Sequence, residues 1–103
     1  MTTLFVKKAK NLSEKVMGLI GKDKPISFML STRFGIHTFG LKFPIDVLIL
    51  DKKNKVVFLK ENLMPWRIFL WNPMYDKVLE LPLGTIGKKK IKINDEIFLK
   101  ESL

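Results

Sequence analysis

The chain of 103 residues contains no cysteine and no glutamine, a single histidine and only two arginines. Each shortage closes off some chemistry. Without cysteine there are no disulfides and no thiolate metal ligands, and redox compartment leaves no mark on the sequence. One imidazole without thiolates cannot build the usual tetrahedral zinc site. The acidic residues Asp46, Asp51 and Asp76 lack the loop spacing of an oxygen-ligated calcium or magnesium site. The glycines form no phosphate-binding loop, since "GKD" and "GKK" are only fragments of one. A G-x-S-x-G elbow is also missing. Neither a cofactor nor a metal is expected. No apolar run approaches the roughly 20 residues that cross a bilayer. The first ten residues, MTTLFVKKAK, hold too short an apolar stretch for a secretory signal. The expectation is a single soluble, cytoplasmic domain over residues 1–103.

What the sequence does hold is lysine and apolar side chains. The net charge is +9 and nearly all the positive charge is lysine, because Arg33 and Arg67 are the only arginines. Hydrophobic residues make up 47%, enough to bury a core in a small domain. Abundant lysine with no glutamine or cysteine fits a thermophilic protein, and an A/T-rich genome would enrich lysine and isoleucine as well. The charge allows two uses: attraction to nucleic acid or an anionic membrane, or simple solvation. Scarce arginine, the better two-pronged reader of phosphates and bases, favours solvation.

Along the chain, residues 3–8 read as a strand. Asn11 and Glu14 form a capping-box pattern before a helix that carries Leu12, Val16, Leu19 and Ile20 on one face and ends at Gly21. Residues 26–30 are rich in strand formers. From His37 to Lys42 the residues alternate, which places His37, Phe39 and Leu41 on one face and Thr38, Gly40 and Lys42 on the other. Pro44 interrupts the ladder. The run IDVLIL (45–50) reads as a strand covered on both faces, and it pairs with 56–61 through a turn at Asn54. Residues 77–83 form another strand, GTIGKKK a turn or single helical turn, and IKI with EIFLK a closing pair joined at Asn94-Asp95. The class is therefore α+β: a compact, mostly antiparallel, β-barrel-like domain with one N-terminal helix.

The string HTFGLKFPIDVLILDKKNKVV, followed by PWR and VLELPLG, resembles the domain of unknown function 192 family, also called UPF0127. The early GLIGK is similar to the end of that family's first helix, and IKINDEI to its C-terminal hairpin. The resemblance runs through nearly the whole chain and implies a compact, β-rich α+β fold. It implies no reaction, because the family has none assigned. Many bacterial members carry an export signal that is not found here. Asn54 and Asn94 replace the glycines common at the two turns, and IFLWNPMY is more apolar than in most relatives.

Several groups are candidates for chemistry. His37 with Asp46, and Ser27, Ser31 or Thr38 as nucleophile, would make a hydrolytic set. The phase of His37 with Phe39 and Leu41 instead points to a packed ring bonded to backbone. Asp46, at a strand entrance, suits a carboxylate that accepts two or three backbone N–H groups. Paired with Glu80, it would instead form the two-carboxylate machinery of a small hydrolase or carbohydrate-active enzyme. Glu80 has the alternative of an ion pair with Arg67 or Lys42, and Arg67 can hold an anionic ligand. Lys42, Asp46, Arg67 and Glu80 are thus the candidate ligand-binding residues. Trp66, Phe69, Trp71, Met74 and Tyr75 are candidate interface residues for a partner or a homodimer, since aromatics, methionine and arginine concentrate at interface cores. The commonest fate of such a stretch is a lid over the core, ahead of an interface, and a third use is a platform on which bases or sugars stack. Three functions follow: a non-enzymatic module binding a small ligand or protein, an enzyme using Asp46 and Glu80, and a weak nucleic-acid binder acting through lysines.

Overall fold

The computed structural model describes residues 2–8, 27–33 and 35–101. Among these, the strands are β1 (Thr2–Lys8), β2 (Phe28–Ser31), β3 (Ile36–His37), β4 (Ile45–Leu50), β5 (Val56–Leu63), β6 (Ile68–Phe69), β7 (Lys77–Pro82) and β8 (Ile97–Glu101). The helix among them is α1, Thr85–Lys89. The expected helix after Asn11 lies outside the described residues. A turn or a single helical turn was expected at GTIGKKK, and α1 stands there.

β4 and β7 sit inside a sheet ordered β5-β4-β7-β2-β1-β8. All six residues of β4 are buried. This is why IDVLIL carries no polar alternation: both of its faces need apolar cover. The pairings β4–β5, β4–β7 and β2–β7 are antiparallel, whereas β1 pairs in parallel with both β2 and β8. The two edge strands then meet. Lys55 bridges Glu96, and the Val56 N–H donates to Asp95 O at 2.9 Å, the Asn94 N–H to Val56 O at 2.8 Å and the Ile97 N–H to Asn54 O at 2.9 Å. The sheet curls upon itself like a barrel, which removes most of the exposed edge that a flat sheet would present.

Alternation along each strand separates two cores. The inner one gathers Leu4, Val6, Leu48, Leu50, Val56, Leu79, Leu81, Ile91 and Ile97, with Ile86 of α1 plugging one end. The outer one holds Phe28, Leu30, Ile45, Val47, Ile49 and Val78, covered by Ile36, Leu41, Phe69, Trp71 and Tyr75 from the loops and the small β3–β6 sheet. Each fully buried aliphatic side chain contributes about 1.5–3 kcal/mol relative to exposure. Gly35 allows the small sheet to close: a Cβ there would lie 2.6 Å from Leu70 Cδ2 and 2.7 Å from Phe69 O.

Two sequence expectations are corrected here. β3 is only two residues long, and a turn at Phe39-Gly40, with Gly40 at φ 85°, breaks the alternation. Ile36, Thr38 and Leu41 are therefore buried, whereas His37 and Phe39 are exposed. Residues 91–93 form no strand with EIFLK; β8 pairs with β1 instead, and the Asn94-Asp95 turn closes the barrel against β5. Asn94 has φ 76°, a left-handed conformation that asparagine tolerates and β-branched residues resist. Asn94→Gly should change stability by no more than about 0.5 kcal/mol, and Asn94→Val should cost about 1–2 kcal/mol. Urea denaturation of the two variants checks this.

Candidate functional site

Thr38 organises the exposed side of the molecule. It is fully buried, and it is pinned from three directions. Its N–H donates to Arg67 O at 2.8 Å, its Oγ1 donates to Met64 O at 2.7 Å, and Oγ1 accepts the Arg67 N–H at 2.8 Å. Its carbonyl takes the Trp66 N–H at 3.0 Å. These bonds hold the turn after β5 in a shape that puts Trp66 at φ 63°, which is costly for a bulky side chain and persists only where its surroundings impose it. Trp66 is consequently thrown outward, 66% exposed. Phe39 stacks on it with ring centroids 5.8 Å apart, and His37 stacks on Phe39 at 5.0 Å.

Beside this exposed stack lies a cleft of about 470 Å³ on the outer face, between β5 and β6. Phe58, Leu63, Met64, Ile68 and Phe69 give it apolar walls; Lys60, Asn62 and Arg67 supply the polar groups. Phe58, Met64 and Ile68 are large apolar side chains left largely exposed. The Arg67 guanidinium donates to Trp66 O at 3.4 Å.

The candidate interface residues divide. Trp66 and Met74 are exposed, whereas Phe69, Trp71 and Tyr75 pack on the outer core, with Trp71 Nε1–H donating to Tyr75 O at 2.7 Å. His37, expected in the core, stands in solvent. Thr38, weighed as a nucleophile, is a structural pin, and Ser31 donates its hydroxyl to Asp76 Oδ2 at 2.9 Å. Lys42 is exposed in the loop before β4.

Asp46 and Glu80 are not brought together. In the β4–β7 ladder, Asp46 is opposite Leu81 and Val47 is opposite Glu80. Leu81 faces the inner core and Val47 the outer one. Neighbours across a ladder share a face, so the two carboxylates lie on opposite sides of the sheet. Asp46, 1% exposed, accepts the Asn62 N–H on Oδ1 and the Ile86 N–H on Oδ2, each at 3.0 Å. It ties the end of β5 and the start of α1 to β4. Glu80 packs in register with Phe28 and Val47, and its Oε1 has no hydrogen-bond partner among the described residues. Among the described residues Arg67 forms no ion pair with it, while Arg33 and Asp76 pair with each other on the surface, 4.0 Å apart.

The profile of DUF192, described as an uncharacterized ACR, matches residues 2–99. The chain belongs to the DUF192 family. It is 37% identical over 62 residues to a UPF0127 protein of Thermococcus sibiricus, an alignment that takes in 60% of this chain and 40% of that relative. The chain thus spans less than half of the length of the curated relative it matches. Two crystal structures share the fold. One is a protein of unknown function from Novosphingobium aromaticivorans, with a TM-score of 0.78, 16% identity, and coverage of 88% of this chain and 71% of that one. The other, from Sinorhizobium meliloti, is named as a candidate transcription regulator; it has a TM-score of 0.74, 18% identity, and coverage of 88% and 78%. Among the described residues of this DUF192 chain no helix is long and apolar enough to cross a membrane.

In this DUF192 chain the sequence offers Thr38 only as a nucleophile and Phe39 only as a face-mate of His37 and Leu41, and it does not single out Phe58. The available signal was Gly40, which ends the alternation two residues after Thr38. Glu80 is the group whose burial has a measurable consequence. Desolvation pushes its carboxyl from 4.5 up to about 7. The unfolded chain then loses this proton at lower pH than the native one, so the stability that Glu80 allows is fully present below its unfolded pKa and declines as pH rises towards about 7. Glu80→Gln should flatten the stability profile over that window and gain about 1–3 kcal/mol over the parent at pH 8. Thermal unfolding at a series of pH values, parent against variant, checks both the sign and the window.

Proposed function

We propose that this DUF192 chain is a non-enzymatic binding module, and that its site is the β5–β6 cleft with the adjoining His37–Phe39–Trp66 stack. The observation that carries this reading is the company of exposed Phe58, Met64 and Ile68 around one cleft with Lys60 and Arg67 beside them. Apolar side chains left in contact with water at one place mark a contact surface. Two cations at that place select the sign of what approaches. The occupant is a segment of a partner protein that brings an apolar side chain into the cleft and an acidic group to Lys60 and Arg67. Of the pocket expected at Lys42, Arg67 and Glu80, Arg67 stays in the proposal, and Trp66 stays as the flanking aromatic. Glu80 is buried away from solvent and Asp46 is occupied by backbone, which speaks against the two-carboxylate enzyme.

A backbone turn held at positive φ also presents Trp66 with its backbone already ordered, which lowers the ordering cost of binding. The test is an NMR titration with short peptides that alternate Phe with Glu, compared with peptides that alternate Phe with Lys. The acidic peptide should shift the amides of Phe58, Met64 and Ile68, and the double variant Lys60→Glu, Arg67→Glu should weaken it by ~10-fold or more. Equal binding of the basic peptide, self-association in place of peptide binding, or indifference to the double variant would each defeat the proposal.

A further inference from the structure

The barrel has a second end, opposite the one that α1 plugs. There, where β7 begins and β1 finishes, a cleft of about 460 Å³ opens. Lys8, Lys77 and Lys100 line it, above apolar Val6, Met29 and Leu99. Lys8 is in register with Met29, Val6 with Glu101, and Lys77 with inner-facing Leu50, so Lys8, Lys77 and Glu101 lie on the concave side of the sheet, whereas Lys100, in register with exposed Phe5, starts from the other face and borders the cleft at its rim. Lys77 is half-buried, and its ammonium donates to Asn54 Oδ1. Asn54 is itself fixed: its backbone is left-handed at φ 64°, its N–H donates to Asp51 O at 3.0 Å, and its carbonyl takes the Ile97 N–H across the barrel seam. One of the three ammonium donors is thus used to hold Lys77 at the cleft wall, and two remain available to a ligand.

We propose that this end of the barrel binds a phosphate monoester carried on an apolar or aromatic body. The charge count sets the headgroup. Two lysines on the concave side, Lys8 and Lys77, and a third at the rim, Lys100, stand against one carboxylate, Glu101, and among the described residues none of the three forms an ion pair with it. The surplus of two positive charges matches a phosphate monoester, which carries about −1.5 to −2 at neutral pH. Lysine serves phosphate as a point charge and needs no planar fork, which suits a chain nearly without arginine. Val6, Met29 and Leu99 provide the apolar floor for the rest of the ligand, and the volume falls in the range that holds small molecules, about 300–1,000 Å³. This site lies apart from the β5–β6 cleft and stands or falls separately from it.

Phenyl phosphate is the probe, followed by NMR at the amides of Val6, Met29 and Leu99, with inorganic phosphate, phenylacetate and phenol as controls. Saturable shifts at those residues are expected. Phenyl phosphate should bind at least ~10-fold more tightly than inorganic phosphate or phenylacetate, since both headgroup charge and apolar body contribute. Lys77→Gln should weaken it by ~10-fold, and so should Lys100→Gln, a rim substitution on an exposed side chain that leaves folding intact. Failure to saturate, shifts spread over lysines all around the surface, equal affinity for phenylacetate, or full binding by both variants would overturn the proposal.

Discussion

Burial of one strand pair on both faces governs this molecule. β4 and β7 lie side by side at the centre of the sheet, and each must be covered from two directions at once. The curl of the sheet, closed at Lys55–Glu96, covers one face and produces the inner core. The loops carrying Ile36, Leu41, Phe69, Trp71 and Tyr75 cover the other. What can serve as a site follows from this arrangement. A group that points inward from β4 or β7 is enclosed by the barrel, and a group that points outward lies beneath the loop layer. Openings remain where cover runs out: beside β5, past the edge of the loop layer, and at the end of the barrel that α1 does not plug.

The same constraint explains why two neighbouring carboxylates behave so differently. Both Asp46 and Glu80 are withdrawn from water, a costly place for a charge. Asp46 has two backbone N–H groups aimed at it, one from each element that it ties down, and these replace its lost hydration. Glu80 has apolar neighbours and, among the described residues, no hydrogen-bond partner for Oε1, so burial acts there without compensation. Its environment stabilises the neutral acid. A pair of acids on one face of a cleft would share a substrate; here the pleat of a single strand pair sends them to different cores.

Much of the architecture was legible because it was local. The unbroken apolar run of β4 announced its double burial, and the Asn54 and Asn94 turns followed from the left-handed tolerance of asparagine. Asp46 as a carboxylate that ties off backbone was also readable from its place after Pro44. The helix expected after Asn11 lies outside the described residues. Other features depended on distant partners. That β8 joins β1 in parallel rather than residues 91–93 could not be seen from the turn between them. The alternation read from His37 to Lys42 failed because a two-residue strand does not carry a period, and Gly40 turns the chain before it can be established. Thr38 became the organising residue of the exposed face only through Met64, Trp66 and Arg67, more than twenty positions away. The aromatic segment resisted a single reading because it has two jobs: Phe69, Trp71 and Tyr75 cover the outer core, while Trp66 is turned outward by its backbone.

Native-state hydrogen exchange tests the central claim most directly. If the doubly covered β4–β7 pair is the constraint on which everything else rests, its amides should exchange only through global unfolding, with the largest free energies in the molecule, while the covering β3–β6 sheet opens at a lower one. Protection of β4 and β7 no greater than that of β6 would contradict the account.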